Sequence, residues 1–248
     1  MNRAESIAVR PVHRRLNTLQ AVVGFVTNGD GLKLRIAGNL LQLMPERAVW
    51  WPGMRTAVVA DVHLGKDQVF RRAGIAIPSA VLDAELNALD GLLRATRCER
   101  LLVLGDWVHA PPSDRERWPE RVRAWRQRHR ELAVDLVVGN HDRDIAPWLR
   151  EWRITAHREP RSLGGLALFH EVDPAAPPAG LSGHLHPVAW LCAGRERIRL
   201  PAFARRDDHL VLPSFGRFTG GYDGLDPKHW RSYATTGERV VDLAAAAA

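Results

Sequence analysis

Five short clusters of polar residues carry side chains that are suited to binding a pair of divalent metal ions. They are Asp61-Val62-His63, Gly105-Asp106, Gly139-Asn140-His141-Asp142, Phe169-His170-Glu171 and Gly183-His184-Leu185-His186. Every donor is a carboxylate, an amide carbonyl or an imidazole, and none is a thiolate. This mixture suits manganese, iron(II) or zinc and argues against a closed structural zinc site. Two adjacent metals can hold a phosphate ester and supply hydroxide at neutral pH, so the clusters predict hydrolysis of phosphate esters.

Most of the clusters directly follow apolar runs that are typical of buried strands. Residues 56–60, 100–104 and 134–138 are such runs, and each leads into one cluster. Leucines at positions 82, 86, 89 and 93 recur at helical spacing between the first two runs, and a basic helix is predicted over residues 119–130. This alternation predicts an α/β sheet whose functional groups lie beyond the carboxyl ends of its strands.

The remaining chain is predicted to be rich in strands. Alternation over residues 32–36, a turn at Gly38-Asn39 and apolar runs at 40–43 and 48–51 indicate a small sheet. Beyond about residue 153 the predicted strands are shorter, and helices rarely separate them. Ser79 follows a proline and is predicted to cap the first long helix. We expect one domain over residues 31–243, with a weakly structured N-terminal extension at 1–30 and a frayed tail at 244–248.

Composition narrows the classes of partner. The 248 residues carry a net charge of +7, which comes from an excess of arginine. A basic surface favours polyanions such as nucleic acid or anionic lipid, although a genome that prefers arginine codons explains the same excess. Cys98 and Cys192 are predicted to be free thiols, because neither lies in a CxxC pair or beside a cluster. No apolar run reaches membrane-spanning length, so we expect a cytoplasmic protein that does not associate with membranes.

The ordered clusters resemble those of the calcineurin-like metallophosphoesterase superfamily, over roughly residues 32–243. The resemblance implies an α/β sandwich of two β-sheets flanked by α-helices (αββα). It implies that one metal is held by Asp61, His63, Asp106 and His186. It implies that the other is held by Asp106, Asn140, His170 and His184. His141 is similar to the catalytic histidine of that family, which is not itself a main ligand. Asp142 either orients a nearby imidazole or is a turn aspartate.

Longer motifs resemble the DNA-ligase-associated branch of this superfamily. They are His63-Leu64-Gly65-Lys66, Phe70-Arg71-Arg72-Ala73-Gly74-Ile75 followed by Pro78, His184-Leu185-His186-Pro187, Leu212-Pro213-Ser214-Phe215-Gly216 and Phe218-Thr219-Gly220-Gly221. Two residues depart from the branch, namely Ser214 in place of alanine and Trp107 in place of leucine. The resemblance implies a manganese-dependent DNA endonuclease or phosphodiesterase of bacterial DNA repair, associated with a DNA ligase and a helicase. The donor set also accepts Fe²⁺, Zn²⁺ or Mg²⁺.

Several residues near the clusters are candidates for contacting substrate. Lys66, Arg71 and Arg72 follow the first cluster, within plausible reach of a phosphate backbone, and an exposed basic segment is the alternative explanation. Trp107 adjoins Asp106. His109 lies three residues past Asp106, where a capping or packing role is the alternative.

Two other functions remain open on the sequence. One keeps the chemistry and changes the substrate to a small cyclic nucleotide or a lipid-linked nucleotide pyrophosphate. The other is a binding scaffold without catalysis, which the complete set of candidate ligands disfavours.

Overall fold

The computed structural model describes residues 31–78, 80–113, 116–193 and 196–246. The predicted N-terminal extension, the proposed cap at Ser79 and residues 247–248 of the predicted tail lie outside the described residues. The side chain of Cys192 lies outside them as well, whereas Cys98 is a half-buried free thiol.

The first sheet contains seven strands that follow one another in chain order. They are β1 (Leu32–Ile36), β2 (Asn39–Met44), β3 (Ala48–Trp51), β4 (Thr56–Val59), β5 (Arg100–Leu104), β6 (Ala133–Val137) and β7 (Thr155–His157). Strands β1 to β4 pair antiparallel, and β4 to β7 pair parallel. The parallel half therefore directs the carboxyl ends of β4, β5 and β6 to one edge of the sheet.

Helices connect the strands of the parallel half. They are α1 (Lys66–Arg72), α2 (Val81–Thr96), α3 (Trp118–Arg128) and α4 (Ala146–Glu151). The leucine pattern predicted α2, whose Leu82, Leu86 and Leu89 are buried. The basic helix predicted at 119–130 is α3. The sequence interpretation missed α1, because its seven residues carry no apolar stripe.

The second sheet is mixed and has a longer path. Its strands are β8 (Arg161–Leu163), β9 (Leu166–Leu168), β10 (Gly180–Ser182), β11 (Val188–Ala193), β12 (Glu196–Arg206), β13 (His209–Val211), β14 (Arg231–Thr235) and β15 (Val240–Asp242). Their order is β15-β14-β12-β13-β10-β9-β8, and β11 pairs with β12 outside this path. Strand β10 is parallel to both β9 and β13, so β9 and β10 end at the same side of the sheet.

The two sheets pack face to face and form a sandwich. Along β4, Val58 belongs to the core between the sheets, whereas Ala57 and Val59 belong to the core beneath α2 and α3. This alternation follows from the two-residue period of a strand that is covered on both faces. The predicted α/β sandwich is confirmed. Among the described residues, the outer face of the second sheet carries a short helix, α5 (Leu243–Ala246). The predicted frayed tail thus begins with a helical turn.

Candidate metal centre

Loops from both sheets bring the predicted ligands together at one edge of the sandwich. Backbone pairing continues beyond the strands, with Asp61 N–H donating to the Gly105 carbonyl (3.1 Å) and His63 N–H to the Asp106 carbonyl (2.9 Å). From the second sheet, His170 follows β9, and the His184–His186 segment follows β10. Residues that are more than 120 positions apart therefore meet, as in the bond from His184 N–H to Asp61 Oδ2 (2.9 Å).

The donor atoms form two adjoining groups. Asp61, His63 and His186 each place one donor atom within 4.8 Å of the others. Asp106, His170 and His184 do the same. The amide oxygen of Asn140 lies 3.0 Å from His170 Nε2 and so joins the second group. The structure therefore brings together all seven residues that the sequence proposed as ligands.

The carboxylate of Asp106 lies between the two groups. Its Oδ2 atom is 3.7 Å from His63 Nε2, and its Oδ1 atom is 3.5 Å from His170 Nε2. Each oxygen thus faces a different histidine, which is the arrangement that a carboxylate needs to bridge two cations.

Unsatisfied buried atoms in the first group fit a bound cation. Asp61 is fully buried, and its Oδ1 atom has no hydrogen-bond partner among the described residues. Among the described residues, the Nε2 atoms of His63 and His186 are also buried without a hydrogen bond, although His186 Nε2 lies 3.2 Å from Asp61 Oδ1. Buried polar groups ordinarily have partners, because leaving one unpaired costs about 1–3 kcal/mol. A divalent cation would satisfy all three atoms at once.

Burial also sets the protonation of the donors. The pKa of His63 falls to about 2, first because of burial and then because His186 and Lys66 add positive potential. The imidazole is therefore neutral, which is the form that binds metals. Burial raises the pKa of the Asp106 carboxyl, and nearby His170 opposes that rise. A cation beside Asp106 would favour its charged form.

The backbone at the ligands adopts the left-handed conformation. Its φ angles are +54° at Asp61, +53° at His63, +54° at Asp106, +66° at His184 and +48° at His186. Non-glycine residues in this region cost of order 1–3 kcal/mol each, and such residues cluster at functional sites. Backbone hydrogen bonds at the strand ends hold these residues in the left-handed conformation. The conformation is locally unfavourable, but it directs the donor atoms towards the site.

Two glycines allow the ligands to approach one another. Gly105 has φ +78°, and a Cβ atom there would lie 2.0 Å from Nδ1 of His170. A Cβ atom on Gly139 would lie 2.3 Å from Oδ1 of Asp106. Both distances are far below van der Waals contact. The first residue of each of these two clusters must therefore be glycine, because no side chain fits there.

Hydrogen bonds orient the imidazoles. His170 Nδ1–H donates to the Leu104 carbonyl (3.0 Å), which leaves Nε2 facing Asp106 and Asn140. His141 Nδ1–H donates to the His109 carbonyl (2.6 Å), and its Nε2 atom lies 3.9 Å from Asp106 Oδ2. His141 keeps 34% of its side chain exposed, so it borders the centre from the open side.

Asp142 contacts backbone N–H groups of its own loop region and, among the described residues, no imidazole. Its carboxylate accepts hydrogen bonds from the Val108 and Gly139 backbone N–H groups, at 3.2 and 3.1 Å. Burial raises its pKa to about 6. The turn-aspartate alternative is therefore the one that the geometry supports, and Asp142 fixes the loop that carries Asn140 and His141.

Trp107 does not line the cleft, contrary to the sequence interpretation. Its side chain is 0% exposed and packs against Trp125, with ring centroids 6.2 Å apart. It belongs to the same core beneath the helices as Val103, four residues earlier. Trp107 therefore points into this core, whereas Asp106 faces the ligand histidines.

The basic candidates take different positions. Arg71 donates to the Ile77 and Pro78 carbonyls and pairs with Asp67 (3.1 Å), so it braces the loop after α1. Arg72 pairs with Glu116 at 3.0 Å. Arg71 thus uses Nε and Nη2 within the fold, whereas, among the described residues, Arg72 uses only Nη1 and keeps 48% of its side chain exposed.

Lys66 and His109 lie nearer to the metal groups. Burial lowers the pKa of the Lys66 ammonium, and the charge of Asp106 opposes this, so Lys66 is within electrostatic reach of the centre. His109 Nδ1 lies 3.4 Å from His63 Nδ1, on the side of that ring away from the unsatisfied Nε2. Burial, together with Lys66 and His141, lowers the pKa of His109 to about 4.

Two further residues support the ligands and were missed in the sequence. Glu159 accepts a hydrogen bond from His170 N–H (2.6 Å). Ser214 Oγ–H donates to the Asp61 carbonyl (2.8 Å), so this departure from the resembled motif holds a ligand strand in place. Glu159 lies in a loop that carries no recognised motif. Ser214 was noted in the sequence only because it departs from the resembled motif.

A sandwich of two sheets with adjoining acid–histidine groups at one edge defines a metal-dependent phosphoesterase. A family model described as calcineurin-like phosphoesterase matches residues 54–230, so the chain belongs to that family. The resemblance noted in the sequence is thereby confirmed. No curated protein matches the chain in sequence.

Solved structures provide the nearer comparisons. The crystal structure of the Pseudomonas putida nuclease MPE is 36% identical, with a TM-score of 0.71, and the match covers 82% of this chain and 96% of that one. YfcE, a phosphoesterase from E. coli, is 18% identical with a TM-score of 0.43, covering 75% and 96%. Among the described residues, no helix has the length and apolar character needed to cross a membrane.

Proposed function

We propose that this phosphoesterase is a DNA phosphodiesterase that cleaves strands internally, as an endonuclease of DNA repair. The observation that carries the proposal is the pair of ligand groups joined by Asp106, in a chain similar to a nuclease over most of its length. Manganese as the physiological metal, a cytoplasmic location and association with a DNA ligase and a helicase belong to the same proposal.

The residues around the centre have separate tasks in phosphodiester hydrolysis. Two bound divalent metals would lower the pKa of water and neutralise charge on the phosphoryl oxygens. His141 presents Nε2 towards the centre while Nδ1–H is held by the His109 carbonyl. This orientation suits it to give a proton to the leaving oxygen or to stabilise its charge. Lys66 adds positive potential from the adjacent helix.

A substrate panel tests the proposal. Purified protein, freed of metal and reloaded with Mn²⁺, Fe²⁺, Zn²⁺ or Mg²⁺, is incubated with supercoiled plasmid, single-stranded DNA, a cyclic nucleotide and a lipid-linked nucleotide pyrophosphate. We expect nicked plasmid and internally cleaved single strands, with the highest rate in Mn²⁺.

Controls separate the proposal from its alternatives. Asp106→Asn should abolish cleavage, whereas Glu46→Gln, at an exposed turn, should not. Efficient turnover of the small nucleotides without DNA cleavage would overturn the DNA assignment. Tight DNA binding without hydrolysis of any ester would indicate a scaffold.

A further inference from the structure

A pocket opens directly beside the metal group of Asp61, His63 and His186. It has a volume of about 300 Å³, and His186 and Pro187 form one end of it. Three arginines, Arg47, Arg199 and Arg217, line it, whereas no aspartate or glutamate is among its described lining residues. A pocket with three guanidinium groups and no carboxylate is suited to an anion.

Arg47 is half-buried without an acidic partner. Its Nη1 atom donates to the carbonyls of Ser214 (3.5 Å) and Gly216 (3.4 Å). Among the described residues, no carboxylate oxygen lies within 4.0 Å of the guanidinium of Arg47 or of Arg217. Burial lowers the pKa of Arg47, and the nearby cation of Arg217 lowers it further, against a smaller opposing effect of Glu85. The buried carboxylate of Glu85 offsets part of the repulsion between these two cations, and a bound anion would offset more of it.

Arg199 shapes the opposite wall of the pocket. Its Nη2 group donates to the Gly221 carbonyl, and its Nε atom is 3.9 Å from Asp223, which offsets part of its charge. A Cβ atom on Gly221 would lie 2.3 Å from Val188, whereas Gly220 has open space around it. The wall is therefore closely packed at Gly221 and accessible at Gly220.

We propose that this pocket binds a second phosphate of the same nucleic-acid strand, next to the phosphodiester that is held at the metal centre. The proposal rests on the proposed function, because it assumes a polynucleotide substrate. Guanidinium groups bind phosphate oxygens through paired hydrogen bonds, and Arg47 and Arg217 supply them. The volume is at the small end of ligand pockets, which fits a phosphate with its sugar. The pocket thereby selects strands over isolated diesters.

The test compares substrates with and without a second phosphate. Arg217 is exposed, and within the described part of the chain only its backbone N–H makes a hydrogen bond, to Glu85 (2.9 Å), so Arg217→Ala should not disturb folding. The value of kcat/KM is measured for a single-stranded oligonucleotide and for bis(p-nitrophenyl) phosphate, which has one phosphate. Arg47→Lys and Arg217→Lys retain the charge, and Arg94→Ala removes an exposed arginine of α2 as a matched control.

We expect Arg217→Ala to lower the ratio of oligonucleotide to small-diester kcat/KM by about tenfold or more. The lysine variants should retain more of that ratio than the alanine variant, and Arg94→Ala should retain all of it. Binding of a labelled oligonucleotide to metal-free protein, followed by fluorescence anisotropy, should weaken in Arg217→Ala. Its salt dependence should also become less steep, by about 0.7 in log K against log salt for one lost phosphate contact on a single strand.

Other results would overturn the subsite. If Arg217→Ala lowers kcat/KM equally on both substrates, Arg217 acts at the metal centre. If kcat/KM is unchanged on both, Arg217 is a solvated surface residue. If Arg217→Ala is also assayed on the lipid-linked nucleotide pyrophosphate of the substrate panel, a loss confined to that substrate would assign the pocket to a terminal phosphate of a small nucleotide. Failure of the proposed function looks different, because the wild type would then hydrolyse the small diester and leave DNA intact.

Discussion

Replacing Gly105 with alanine probes how closely the ligands must approach each other. Gly105 has φ +78°, and the added methyl group would lie 2.0 Å from Nδ1 and 2.3 Å from Cγ of His170. The ring must move, which breaks the bond from Nδ1–H to the Leu104 carbonyl and displaces Nε2 from Asp106 and Asn140. We expect metal affinity to fall by about 10–100-fold, the range seen when support of a ligand is lost.

Gly38→Ala provides the matched control. Gly38 lies in the turn between β1 and β2 with φ +81°, and a Cβ atom there would meet nothing within 4 Å. Alanine at this φ costs about 1 kcal/mol in either position, or about 2–4 °C in Tm for a chain of this size. Thermal unfolding of metal-free Gly38→Ala measures that cost, and any further loss of Tm in Gly105→Ala measures the displacement of His170.

Calorimetric titration of metal-free protein with Mn²⁺ separates the two effects. Gly38→Ala should bind Mn²⁺ as the wild type does, and Gly105→Ala should bind it 10–100-fold more weakly. If the two variants bind Mn²⁺ equally well, then His170 is not held against Gly105 in the way described, and its role as a ligand is refuted.

Three further predictions concern single residues near and far from the centre. His141→Ala should retain Mn²⁺ but slow turnover by about 10²-fold or more, and loss of metal in calorimetry would contradict its assignment as a proton donor. Trp107→Phe should leave the KM for DNA unchanged and alter the free energy of unfolding by less than about 1.5 kcal/mol, so a large rise in KM would show that the indole contacts substrate. Burial lowers the pKa of His209, which bonds Ser182 (2.8 Å) as a neutral ring. Because the unfolded chain then takes up the proton first, stability should fall as the pH drops below about 6.5, and less steeply in His209→Gln. If the free energy of unfolding falls by the same amount in the wild type and in His209→Gln between pH 7 and 5, the prediction is wrong.

The sequence predicted the parts of the fold that follow from local pattern. Thr56–Val59 and Leu101–Leu104 are apolar at every position or nearly so, and the structure buries all of them because helices cover one face of the sheet and the second sheet covers the other. The donor residues stand directly after such runs, so their placement at one sheet edge could be predicted from chain order alone.

Contacts between distant segments could not be predicted in this way. Arg47 lies in the turn between β2 and β3, and His186 follows β10, so nothing in their spacing indicates that they line one pocket. Trp107 illustrates the opposite error, since its neighbour Asp106 faces His63 and His170 while its own side chain enters the core beneath the helices. Adjacency in the chain does not give a shared direction.

The central claim is that Asp106 joins two metal sites, and anomalous diffraction from Mn²⁺-soaked crystals tests it most directly. We expect two manganese peaks on either side of the Asp106 carboxylate, one against Asp61 and His186 and the other against His170 and His184. Asp106→Ala crystals treated in the same way should lose at least one of the two. A single peak in the wild type, or two peaks that are unaffected by the substitution, would contradict the account.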